Sequence, residues 1–88
     1  MFYSWLRKRP KLFIVNAAWD NDAQVWVATS DDIPGLVTEA DTREQLAEKL
    51  RVMIPELLEE NGILSDLSKP ELPVSLRYEE RLQLRVAI

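Results

Sequence analysis

Thr42-Arg43-Glu44-Gln45-Leu46-Ala47-Glu48-Lys49-Leu50-Arg51-Val52-Met53-Ile54-Pro55-Glu56-Leu57-Leu58-Glu59-Glu60 is the stretch on which the fold turns. Leu46, Leu50, Met53, Ile54, Leu57 and Leu58 recur at the three- and four-residue spacing that gathers side chains on one face of an α-helix. Asp41 and Thr42 supply an N-cap, and the spacing from Thr42 to Gln45 fits a capping box. Asn61-Gly62 supplies the stop, since Gly62 accepts the left-handed backbone of a C-terminal cap. Pro55 removes one backbone hydrogen bond and is expected to bend the helix or split it near Arg51. A single apolar stripe needs a surface to lie on, and the flanking segments provide one.

Upstream, Leu12-Phe13-Ile14-Val15-Asn16-Ala17-Ala18-Trp19 is rich in β-branched and aromatic residues and reads as a strand. Asp20-Asn21-Asp22 closes it with turn chemistry, and Gln24-Val25-Trp26-Val27-Ala28-Thr29 returns as the second arm of a hairpin. Ser30-Asp31-Asp32-Ile33-Pro34-Gly35 is a loop, because Pro34 lacks a backbone donor and Gly35 takes backbone angles that other residues avoid. A short third strand, Leu36 to Ala40, completes a meander. Downstream, Ser65, Asp66, Ser68, Pro70 and Pro73 mark a loop. After it, Val74, Leu76, Tyr78, Leu82, Leu84, Val86 and Ile88 alternate with polar residues, the period of a strand with one wet face. At about 3.3 Å per residue a straight run of that length would reach roughly 50 Å. It must bend near Glu79-Glu80 or project beyond its own subunit.

The order strand, strand, strand, helix, strand predicts an α+β domain in which a right-handed crossover lays the last strand parallel to the first. The predicted sheet order is third, second, first, fourth, with the helix on one face; residues 1–11 form an N-terminal basic and aromatic extension and 12–88 a single domain. The first two strands are apolar at both parities. Phe13, Val15, Val25 and Val27 are assigned to one face, and Ile14, Ala18, Trp26 and Ala28 to the other. A helix on one side leaves the second face in water, so a homodimer or tetramer is expected, with Trp26, Ile14, Ala28, Tyr78, Leu82 and Leu84 in the interface. On this reading Trp26→Glu gives a folded monomer. Within one subunit, Phe2, Tyr3, Trp5 and Leu6 offer an alternative cover.

The composition narrows the chemistry. An 88-residue chain has room for one modest core. With 47% apolar and 30% charged residues it belongs with ordinary globular domains. It has neither cysteine nor histidine, so a disulfide framework, a thiolate nucleophile, a zinc site and a histidine base are all excluded. Nothing approaches the roughly 20 apolar residues that span a bilayer, and the early charges Arg7, Lys8, Arg9 and Lys11 follow the N-terminal apolar residues instead of preceding them. The expected location is the cytoplasm. Only Gly35 and Gly62 are present, too few for a phosphate-binding glycine loop, and no cofactor is expected.

Charge is distributed unevenly about the net value of −4. From Leu12 to Thr42 the chain carries Asp20, Asp22, Asp31, Asp32, Glu39 and Asp41 and no basic residue. Such a segment repels nucleic-acid phosphates and attracts basic partners, so these six are the candidate partner-binding residues. The same carboxylates invite a second reading, a magnesium-dependent nuclease in which two or three of them share a metal ion. A third is that turn carboxylates serve local hydrogen bonding alone.

Asp31-Asp32-Ile33-Pro34-Gly35-Leu36-Val37-Thr38-Glu39-Ala40-Asp41-Thr42-Arg43-Glu44-Gln45-Leu46 resembles the HicB-like antitoxin family, whose pattern sets an acidic residue before Leu/Ile-Pro-Gly, then Thr, Asp-Thr and a Glu-rich helix start. Ala17-Ala18-Trp19-Asp20, Val25-Trp26-Val27-Ala28-Thr29-Ser30 and Met53-Ile54-Pro55-Glu56-Leu57-Leu58-Glu59-Glu60-Asn61-Gly62 look like a HicB-related subgroup of small bacterial proteins. The resemblance covers about residues 12–86. It implies a partial ribonuclease-H-like fold and a non-catalytic role: binding a small basic HicA-type toxin, an mRNA-cleaving ribonuclease, and blocking its active surface. Full-length members carry a C-terminal DNA-binding domain, whereas this sequence closes on a strand, so operator binding is not expected of it. A self-assembling structural or adaptor domain without a toxin partner is the alternative.

Overall fold

In the computed structural model, residues 12–63 and 72–87 are described. Strand β1 (Phe13–Asp20) and β2 (Val25–Thr29) pair antiparallel, and β3 (Val37–Ala40) adds antiparallel to β2. Helix α1 (Arg43–Glu60) follows, and β4 (Val74–Glu79) lies parallel to β1, giving the sheet order β3-β2-β1-β4. This is the α+β arrangement and strand order the sequence predicts. The expected extension 1–11, including the proposed cover by Phe2, Tyr3, Trp5 and Leu6, lies outside the described residues, as do 64–71.

Helix α1 owes its ends to specific side chains. Thr42 is the N-cap, and its Oγ1 accepts the Gln45 N–H at 3.0 Å. At the other end Gly62, with φ +73°, closes a Schellman motif: its N–H bonds the Glu59 carbonyl at 3.0 Å and the Ile63 N–H bonds that of Leu58 at 2.8 Å. Pro55 does not split the helix, which runs unbroken from Arg43 to Glu60. The reason is positional. Pro55 and Arg51 are both exposed, so water reaches the carbonyl left without a partner. Leu50, Ile54 and Leu58 meanwhile hold both halves against the same sheet. Leu46, Leu50, Ile54 and Leu58 are all buried, and each such side chain contributes about 1.5–3 kcal/mol.

Between β2 and β3 the chain makes a turn at Ile33-Pro34-Gly35-Leu36, with the Leu36 N–H donating to the Ile33 carbonyl at 3.2 Å. Pro34 before a Gly35 at φ +85° is the signature of a type II turn. The turn shifts the start of β3 from the predicted Leu36 to Val37, and it drives Ile33 and Leu36 into the core. Asn61 ties this loop to the helix end, its side-chain amide donating to the Pro34 carbonyl at 3.3 Å and to that of Leu57 at 2.8 Å.

The register corrects the predicted faces. Asp20 and Val25 stand opposite each other across a four-residue connection, closed by the Gln24 N–H on the Asp20 carbonyl at 2.7 Å. It follows that Ala17 faces Ala28 and Trp19 faces Trp26, so odd residues of β1 share a face with even residues of β2. Trp26 and Ala28 therefore lie beneath the helix with Phe13, Val15 and Ala17 and are buried, while Ile14 and Ala18 share the opposite face with Val25 and Val27.

Candidate functional site

The helix-covered face is closed by its own residues. Tyr78, opposite Ala17 in the parallel ladder, brings its ring to 5.3 Å from Trp26 in an edge-on contact, and Trp19 packs on the other side of Trp26 at 5.3 Å. The Arg43 guanidinium lies 4.7 Å from the centroids of both Trp26 and Tyr78, and the Tyr78 hydroxyl donates to the Arg43 carbonyl at 3.4 Å. Edge-on aromatic pairs and a cation over a ring each add about 0.5–1.5 kcal/mol. Trp26 and Tyr78 thus join β2 and β4 to the first turn of α1 and Ala28 is buried on the same face, whereas Ile14 sits on the other face and Leu82 and Leu84 lie past the end of β4. The structure does not bring the six candidate interface residues onto one surface.

The opposite face carries no helix among the described residues. Across it run Ile14, Ala18, Val25, Val27 and Val37, of which Val37 is 68% exposed. Three of the six candidate carboxylates gather at one end of this face. Asp20 pairs across the ladder with Val25, Glu39 pairs with Val27, and Asp41 follows β3 directly. Asp22 stands in the adjoining turn. Glu39 and Asp41 also line a shallow groove beside the β3 edge, together with Glu44 and Glu48 on the first turns of α1. Sequence reasoning missed Glu44 and Glu48, although Glu44 in the first turn of α1 and Glu48 one turn later follow closely on the end of β3. Lys49 lines the same groove and donates to the Glu39 carbonyl, so four carboxylates there face one ammonium, while Arg43 rests on the aromatic rings.

Asp31 and Asp32 lie at the far end of the sheet. The β1–β2 ladder stops at Asn16 opposite Thr29, and beyond it side chains take over the pairing. The Ser30 hydroxyl donates to the Ile14 carbonyl at 2.6 Å, and an Asp32 carboxylate oxygen accepts the Ile14 N–H at 2.7 Å. The Asp32 N–H returns to the Ser30 hydroxyl at 3.0 Å. Asp20 likewise accepts from the N–H groups of Asp22 and Ala23, at 3.0 and 3.1 Å. Both carboxylates therefore organise backbone. Asp32 is bonded at Ile14 and Asp20 ends the same strand six residues later, a separation of about 20 Å. Those two cannot share one metal ion, and among the described residues no group of three acidic side chains is placed to hold one.

A family model described as a domain of unknown function, DUF1902, matches residues 12–87. The chain is similar to the crystal structure of hypothetical protein TTHA1013 from the extremely thermophilic bacterium Thermus thermophilus, at 54% identity over 86% of this chain and 100% of that one, with a TM-score of 0.63. No curated protein matches. Among the described residues no helix is long and apolar enough to cross a membrane.

Proposed function

This chain belongs to the DUF1902 family, and from that premise we propose that it is a non-catalytic protein-binding module whose docking surface is the sheet face opposite the helix and its acidic β3 edge. The observation that carries the reading is the convergence of Asp20, Glu39 and Asp41 on the apolar patch of Val25 and Val27, with Glu44 and Glu48 beside them. An apolar centre with a predominantly acidic rim, broken only by Lys49 among the described groove residues, selects a partner with an apolar patch inside a basic rim, and the rim accelerates encounter more than it tightens the complex. A small basic protein fits that description. The HicB-like resemblance, with its partial ribonuclease-H-like fold, makes the partner a HicA-type mRNA-cleaving toxin and the module an antitoxin that occludes it.

The test is co-expression with a HicA-type toxin in a cell whose growth that toxin arrests, followed by co-purification. Growth should recover and the two proteins should elute together, with association weakening as salt screens the rim. Replacing the exposed Glu39 and Asp41 by Lys should lower affinity by about tenfold or more while leaving the melting curve unchanged. No rescue and no complex at micromolar concentrations would reject the antitoxin role. The alternative, a self-assembling adaptor domain, draws its support from a different part of the molecule, the exposed C-terminal residues.

A further inference from the structure

Residues 80–87 make no ladder with their own sheet and are exposed throughout. Leu82, Leu84 and Val86 are 72%, 78% and 74% exposed, an apolar stripe on alternate residues. Strand β4, from which they continue, is an edge of the sheet, and among the described residues nothing pairs with its outer side. Beside that edge lies an apolar groove formed by Ala47, Leu50 and Ile54 of α1 with Leu72, Val74 and Leu76. Stripe and groove have matching chemistry, yet they cannot meet within one chain without a reversal at Glu79-Glu80-Arg81. That stretch has no Gly, Asn or Pro to make a tight hairpin.

We propose that residues 80–87 prolong β4 and pair antiparallel with β4 of a second copy about a two-fold axis at Glu80, seating Leu82, Leu84 and Val86 against Tyr78, Leu76 and Val74 of that copy. Three observations select this register. The Phe13 N–H bonds the Pro73 carbonyl at 3.0 Å and Phe13 stands opposite Val74, so the odd residues of β4 turn their backbone groups toward β1 and the even ones turn theirs outward. The even residues also carry the apolar side chains, on the helix side of the sheet. Even must therefore face even, and Val74 meets Val86, Leu76 meets Leu84, Tyr78 meets Leu82. Charge then chooses among the even registers. With Glu80 on the axis, Glu79 faces Arg81 of the second copy twice over, while Arg77 faces Gln83. A shift by two residues one way sets Arg81 against Arg81 and Arg77 against Arg85, and the other way sets Glu79 against Glu79 and Arg77 against Arg81. Only the two Glu80 side chains are left as a like-charged pair, at the axis itself. The result is a sheet continuous across two subunits, with both helices on one side and the face proposed to bind a basic partner still open.

The native chain has no cysteine, so single introduced cysteines report geometry directly. Under mild oxidation Glu80→Cys should cross-link into a covalent dimer, because paired residues at the axis have Cα atoms about 5.5 Å apart, within disulfide reach. Gln83→Cys should form no covalent dimer in the same conditions, since the two copies of that residue lie about 20 Å apart along the strands. Sedimentation of the unmodified protein should give a dimer, and Leu84→Asp, at a position exposed in the single subunit, should give a monomer whose helical circular dichroism signal is unchanged. Equal cross-linking of both cysteine variants, a dimer that survives Leu84→Asp, or a monomeric parent protein would each overturn the arrangement. The toxin experiment is independent of all three outcomes, so failure of one proposal leaves the other standing.

Discussion

Two faces of one sheet are built from neighbouring residues of the same strands and have opposite fates. Val15 and Ala17 are fully buried, while Ile14 beside them is only partly so and Ala18 beyond is exposed. Ala28 is fully buried and Val27 is not. Composition separates the faces only in part, since the open one carries Ile14, Ala18, Val25 and Val27 beside Asn16, Asp20 and Thr29. What separates them is the stripe of Leu46, Leu50, Ile54 and Leu58 from α1, which reaches one face and not the other. An apolar residue is thus core or contact surface according to which way the strand's pleat turns it, and stability should be concentrated on one side of the sheet.

Substitutions that violate the covered face should show the largest effects. Leu50→Asp leaves an unpaired charge where the native side chain is 4% exposed, and is expected to remove about 5 kcal/mol or more, enough to unfold a domain of this size in urea titration. Trp26→Ala is expected to lower stability by about 3–5 kcal/mol through loss of the core indole and its contacts with Trp19, Tyr78 and Arg43, read as a reduced denaturation midpoint. Trp26→Glu should behave the same way and not as the folded monomer that the sequence alone suggests. Asp32→Ala removes the charged acceptor of the Ile14 N–H and should cost about 1.5–3 kcal/mol, whereas Asp32→Asn, which keeps an acceptor oxygen, should cost less. Thr42→Ala strips the N-cap and should cost about 1 kcal/mol. The smallest effect belongs to the open face: Val37→Thr should change stability by no more than about 0.5 kcal/mol. A large loss there would mean that the open face is already covered, and the contrast between the faces would collapse.

Much of the fold was legible because each signal was local. Thr42 with Gln45 marks the helix start, Asn61-Gly62 its end, and the six apolar residues of α1 its buried side; all are properties of a few consecutive residues. The Pro34-Gly35 turn was equally plain, although its reach into the core through Ile33 and Leu36 was not. Candidate site residues were less legible. Asp20, Glu39 and Asp41 were identified by charge, yet their convergence on Val25 and Val27 depends on three strands and two registers. Glu44 and Glu48 escaped notice because on a helix they read as solvated surface. Asp32 reads from the sequence as one of the partner-binding carboxylates, and only the tertiary structure shows that one of its oxygens completes the pairing of β1.

The sequence by itself determined which segments become strands and helix, where the helix begins and ends, and that the helix covers only one side of the sheet. The tertiary structure decided which residues stand on which side. Its reason is physical: a period of two says only that neighbours alternate, and where both alternating sets hold large apolar residues the pattern carries little preference. The length of the connection from Asp20 to Val25 sets who stands opposite whom, and the docking of α1 then makes Trp26 core and Val27 surface.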